Sequence, residues 1–128
     1  MRVLALDYGS ARCGCAISDP TETVVRPLEA LEPPDARAVA ALVEREDVEE
    51  IVVGLPRTLA GEEGEQAERS RAFAAELTEL LDVPVRTHDE RLTTRMAERS
   101  VREGARGHPD SVAAAHLLES YLERKRRS

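Results

Sequence analysis

The sequence predicts an α/β fold, a mixed five-stranded sheet flanked by helices, with an antiparallel meander of three strands followed by two parallel strands. Two observations carry this. Short apolar and alternating runs joined by turn residues open the chain, and helical and strand periodicities then alternate to its end. A third concerns function: acidic residues and glycines fall at the ends of the apolar runs, where α/β sheets build sites.

Taken in order, Val3-Leu4-Ala5-Leu6 reads as a buried strand that delivers Asp7 to its end, with Tyr8-Gly9-Ser10 as the turn. Residues 12–18 alternate larger and small side chains and pair back as a hairpin, and Gly14 leaves room for a close approach to that strand. Cys13 and Cys15 share one face without zinc-like partners, so they read as small buried thiols. Residues 23–28 form a third strand ending near Pro27. Asp35 then caps a helix over 36–46.

Ile51-Val52-Val53 is a buried strand stopping at Gly54-Leu55-Pro56, and 57–64 is a charged loop. Residues 66–81 follow as an amphipathic helix, and Val83-Pro84-Val85 as a last strand ending at His88-Asp89-Glu90. Residues 91–102 read as a helix closed by Gly104. Asp110 opens the final helix, 111 to about 123, and 124–128 is a basic, flexible tail.

The totals frame the function. A chain of 128 residues suits a single domain over 1–128, with a core of Leu, Val, Ile and Ala because aromatics are only 2%. Base stacking on aromatics is thereby disfavoured. No apolar run has membrane-spanning length and no signal-peptide pattern opens the chain, so the expected compartment is the cytoplasm, with no membrane partner. The net charge of −7 argues against a protein coated in positive potential. Lys125 is the only lysine, and the remaining cations are arginines, which suit bidentate phosphate contacts.

Asp7, Glu90 and Asp110 are the candidate chemical residues. Carboxylates that converge repel one another unless neutralised, and hard divalent cations are the usual neutralisers. Two such cations can activate water and stabilise the leaving oxygen of a phosphodiester. Singly, each residue also has a plain reading: Asp7 in a turn, Glu90 in a first helical turn, Asp110 as an N-cap. Candidate substrate contacts are Gly9, Arg12, Gly54, Arg91, Thr93 and Thr94. Arg12 reads equally as a phosphate grip or a surface arginine, and Gly54, with Gly61 and Gly64, as a substrate-facing loop or a surface turn. Thr93 and Thr94 could serve a phosphate or simply start a helix. Arg91, Arg95, Arg99, Arg102 and Arg106 fall within roughly an 80° arc if the helix continues, either a backbone-tracking stripe or a solvated face. His88 has a structural reading and, beside the acidic pair, a proton-transfer one.

Four ordered blocks then show a resemblance. Residues 4–19, LALDYGSARCGCAISD, come first; Val53-Gly54-Leu55-Pro56 with Gly61 and Gly64 second; Asp89-Glu90-Arg91-Leu92-Thr93-Thr94 third; and Asp110 leading into Ala113-Ala114-Ala115 and Leu118-Glu119-Ser120-Tyr121-Leu122 fourth. Together they resemble the YqgF/RuvX family of pre-16S rRNA nucleases, also called Holliday junction resolvase-like proteins. The resemblance implies an RNase H-like fold and Mg²⁺- or Mn²⁺-dependent phosphodiester hydrolysis, with Asp7, Glu90 and Asp110 at the family's acidic positions. It further implies a nucleic-acid partner, pre-16S rRNA with its 5′ end matured, met as free RNA or in ribosomal precursor particles. A four-way DNA junction is the alternative substrate, and paired cuts would require a homodimer where RNA cleavage permits a monomer. A non-catalytic RNA-binding assembly factor is a further alternative, though clustered carboxylates oppose pure phosphate binding. An actin-like or sugar-kinase-like ATPase needs a second domain across a cleft.

Overall fold

The computed structural model describes residues 1–56, 64–90 and 108–127, with Glu90 described through its backbone. Among the described residues, five strands and three helices follow one another: β1 (Val3–Tyr8), β2 (Cys13–Ser18), β3 (Val25–Leu31), α1 (Ala36–Arg45), β4 (Glu50–Pro56), α2 (Glu65–Leu80), β5 (Val85–Glu90) and, after a 3₁₀ turn at Pro109–Ser111, α3 (Val112–Arg127). Strand order is β3-β2-β1-β4-β5. The β1–β2 and β2–β3 pairs are antiparallel, and β1–β4 and β4–β5 are parallel. The meander and the two parallel additions are as the sequence predicts.

Alternation along β1 explains the layering. Leu4 and Leu6 join Cys13, Cys15, Ile17, Ile51 and Val53 against α1 and α2, through Val39, Leu42, Phe73 and Leu77. Val3 and Ala5 face the other way, with Ala16 and Val52, against Ala114, Ala115, Leu117, Leu118 and Leu122 of α3. A strand buried on both faces needs an unbroken apolar run, which residues 3–6 supply. Both cysteines are free and buried. Among the described residues no helix is long and apolar enough to cross a membrane.

Asp35 is the N-cap of α1, its carboxylate accepting from Arg37 N–H at 3.0 Å. Several boundaries differ from the sequence reading. β3 starts later and runs past Pro27 to Leu31, and β4 and β5 continue through Gly54-Leu55-Pro56 and His88-Asp89-Glu90 because their parallel pairing holds to Pro56 and Glu90. Residues 124–127, read as a tail, are the last turn of α3, where the Lys125 ammonium reaches Glu50 at 3.0 Å.

Candidate active site

The site is built around the carboxyl end of β1. Tyr8 is stacked on Phe73 of α2 with ring centroids 4.4 Å apart, and the Gln66 side chain donates to the Tyr8 carbonyl at 2.5 Å. These two contacts tie the strand end to α2, one residue beyond Asp7. The turn that follows closes through Gly9 N–H to the Arg12 carbonyl at 3.0 Å. A Cβ on Gly9 would stand 2.8 Å from that oxygen, so the turn requires glycine.

Asp7 pairs across the sheet with Gly14. Directly opposed residues on paired strands face the same way, here the α3 side that Val3 and Ala5 share. On that side a Cβ at Gly14 would collide with the Asp110 carbonyl oxygen. The close approach anticipated at Gly14 is therefore made by the turn that carries Asp110. Burial raises the Asp7 carboxyl above its usual range. No hydrogen bond or ion pair joins that carboxylate to a described residue.

Asp110 lies inside the 3₁₀ turn, whose N-cap is His108, so it does not take the N-cap position the sequence allowed. Its Oδ2 accepts from Arg12 Nη1 at 3.0 Å, with side chains 45% and 51% exposed. Arg12 and Asp110 thus meet at the edge of Asp7's strand pair. Beside them opens a cleft of about 340 Å³ lined by Glu29, Ala30, Glu32, His108, Pro109 and Ser111 as well as Asp110.

Gly54 is buried in β4 opposite His88, and Glu90 is opposite Pro56. Strand alternation gives Arg86, His88 and Glu90 one parity and Asp89 the other. His88 identifies the α3 side as its own: Nε2 lies 3.0 Å from Ser120 Oγ and the ring meets Tyr121 edge-on at 5.7 Å. Burial first, then the Arg124 charge, lower the His88 pKa against an opposing pull from Asp89. Buried and packed on α3, His88 fits its structural reading. Arg91, Thr93, Thr94, Gly61 and the arginines at 95, 99, 102 and 106 lie outside the described residues.

Among the described residues no three His, Cys, Asp or Glu side chains group as a metal site. The donor chemistry of the two described carboxylates still suits a hard cation, since Asp7 is desolvated without a described cationic partner. Two residues at the site were not singled out from sequence. Gln66 had no signal beyond its place at a helix start, whereas Ser111 was flagged only by following Asp110.

The sequence model of the RuvX Holliday junction resolvase family matches residues 1–124. A protein of Mycobacteroides abscessus named "Putative pre-16S rRNA nuclease" is 43% identical, the alignment covering 98% of this chain and 83% of that one. A protein of the same name from Caldanaerobacter subterraneus subsp. tengcongensis is 39% identical over the full length of both. Among solved structures, Thermus thermophilus RuvC bound to a Holliday junction superposes with a TM-score of 0.61 at 16% identity, covering 98% of this chain and 96% of that one. The fowlpox virus resolvase with its junction gives 0.59 at 15% identity, covering 97% and 98%. The fold is thus the RNase H-like fold of the junction resolvases, and the chain, matched over nearly its whole length, belongs to the RuvX family.

Proposed function

We propose that this protein is a divalent-cation-dependent nuclease that cleaves pre-16S rRNA in the cytoplasm during maturation of its 5′ end. The observation that carries the proposal is the meeting of Asp7 and the Asp110 turn at Gly14, at the carboxyl end of the central strand. Asp7, Asp110 and Glu90 would hold Mg²⁺ or Mn²⁺. Bound there, the cation would supply Lewis-acid stabilisation of the charge that develops on the phosphodiester oxygens. Strand parity supports Glu90 over Asp89, since position 90 has the parity of position 88 and position 89 the other.

The chain's own residues have separable tasks in this reading. Asp7, half-buried and partly desolvated, gives an electrostatic field that bulk water screens only in part and that favours a cation. Arg12 offers further donors to a phosphate oxygen while one of them holds Asp110. Gly9 closes the turn beside Asp7, Gly54 is a buried strand residue rather than part of a substrate-facing loop, and Arg91, Thr93 and Thr94 follow Glu90 as further phosphate contacts. The acidic cleft beside Asp110 repels a bare phosphate, so substrate affinity there depends on the cation.

The test is cleavage of labelled precursor 16S RNA, unrelated single-stranded RNA and a four-way DNA junction, with Mg²⁺, Mn²⁺ or chelator, by the protein and by Asp7→Asn. Cation-dependent cuts in the precursor that fall by about a thousandfold or more in Asp7→Asn are expected. Cleavage of the junction alone would assign the substrate to DNA, and equal RNA retention by both proteins without any cut would overturn the nuclease reading.

A further inference from the structure

We propose that Ser111 is a positioning residue that holds Asp110 in register with Asp7, and that a slip in the β2–β3 pairing exists to receive it; the inference rests on the carboxylate site proposed above. The slip is local. Cys13 faces Leu31 whereas Cys15 faces Leu28, so two steps along β2 match three along β3. An extra residue on one strand disrupts the ladder and leaves polar backbone groups to be satisfied from elsewhere.

Ser111 supplies that satisfaction. Its hydroxyl accepts from Cys15 N–H at 3.0 Å and donates to the Leu28 carbonyl at 2.5 Å. One side chain thereby joins two neighbouring strands at the slip, and it is fully buried in doing so. On its other side the Ser111 N–H donates to the His108 carbonyl at 3.0 Å, which closes the turn around Asp110. Gly14, between Cys13 and Cys15, removes the side chain that would otherwise keep this turn off the sheet.

The consequence is mechanical. The Asp110 carboxylate is half-exposed and, among the described residues, has only a surface arginine to hold it, a weak constraint. Its backbone, by contrast, is fixed by the next residue's buried hydroxyl. Where the oxygen of Asp110 stands relative to Asp7 is therefore set by Ser111, and changes in residues that support a ligand shift metal affinity by about 10–100-fold.

The test uses the RNA-free protein and free Mn²⁺ measured by electron paramagnetic resonance, with cleavage kinetics on precursor RNA in parallel. Ser111→Ala is expected to weaken Mn²⁺ binding about tenfold and to raise the Mn²⁺ concentration for half-maximal cleavage to match, with KM for RNA unchanged. Val39→Ala, a core truncation in α1, lowers Tm without changing Mn²⁺ affinity, which separates positioning from general loss of stability. If Ser111→Ala does not fold, Ser111→Cys, with its weaker donor and acceptor, is expected to weaken binding about threefold. Wild-type Mn²⁺ affinity in a folded Ser111 variant, or an equal loss in Val39→Ala, would overturn the inference. Failure of the wild type to bind Mn²⁺, or unchanged binding in Asp110→Asn, would instead overturn the carboxylate-site reading and the inference with it.

Discussion

Gly14 sets how near the acidic turn can come to the strand bearing Asp7. A methyl group there would overlap the Asp110 carbonyl oxygen and stand 3.3 Å from Ser111 Cα. Both are backbone atoms, so neither can swing aside as a side-chain tip would. Gly14→Ala is accordingly expected to cost about 1–3 kcal/mol as overpacking and to depress cleavage with it, because relief requires moving the turn. Urea denaturation beside a cleavage assay checks this, and an unchanged midpoint would mean that the turn yields freely. The need for a small residue at 14 was legible in the sequence, as was the place of Asp7 and Glu90 towards the ends of their strands. What approaches Gly14 was not, since the turn is remote in the chain. Nor was the role of Ser111, which depends on a register slip that leaves no mark on composition or periodicity.

The elements were more legible than their ends, and the start of β3 shows why. Asp19 accepts from Thr23 N–H at 2.7 Å and Val24 N–H at 2.8 Å, while its own N–H donates to the Val24 carbonyl at 3.0 Å. Residues 23 and 24 are thus held in the turn, and strand pairing begins at Val25, although Thr23-Val24-Val25 reads as strand by propensity. The opposite happens at β4 and β5, where parallel partners carry the pairing through glycine, proline and acidic residues that read as terminators. The Asp19 clamp also has a pH signature. The Thr21 hydroxyl first, then the Val24, Thr23 and Thr21 amides, hold the carboxyl well below the usual carboxylate range. A depressed folded-state value means that the stabilisation is present above the unfolded value of about 3.9 and is lost as pH falls through the folded one. Asp19→Asn is therefore expected to lower Tm by a constant amount from pH 5 to 8, with the gap narrowing below about pH 4. A gap of equal size from pH 7 down to pH 2 would show that charge at Asp19 contributes nothing.

At the scale of the whole molecule, α3 is fastened at both ends. Its entry is the Ser111 turn at the carboxyl end of β1, and its exit is a charge cluster at the other end of the sheet. There Glu50, buried at the start of β4, accepts from Tyr121 Oη at 3.1 Å and Lys125 Nζ at 3.0 Å, with Arg86 Nε at 3.6 Å. Lys125 also pairs with Glu22 at 3.3 Å, which brings in the β2–β3 turn. Burial pulls the Lys125 ammonium down, but Glu50 and Glu22 outweigh it and hold its pKa above the usual value. The positive charge of residues 124–127 was visible in the sequence, but not its destination, because Glu50 sits in a charged run that gives no sign of burial. Lys125→Met keeps the side chain's length and leaves buried Glu50 to Tyr121 and the more distant Arg86. Removing one partner of a buried ion pair costs about 3–5 kcal/mol, and the partial exposure of Lys125 with the remaining partners reduces the expectation to about 1–3 kcal/mol. The double variant Glu50→Gln/Lys125→Met is expected to recover most of that loss, since no buried charge is then left without its ammonium. Urea denaturation of the two variants decides the matter. If the double variant is less stable than Lys125→Met, the cluster acts through packing of the lysine stem rather than through charge. If it recovers, the single lysine in a chain of arginines owes its place to a buried carboxylate and not to nucleic acid.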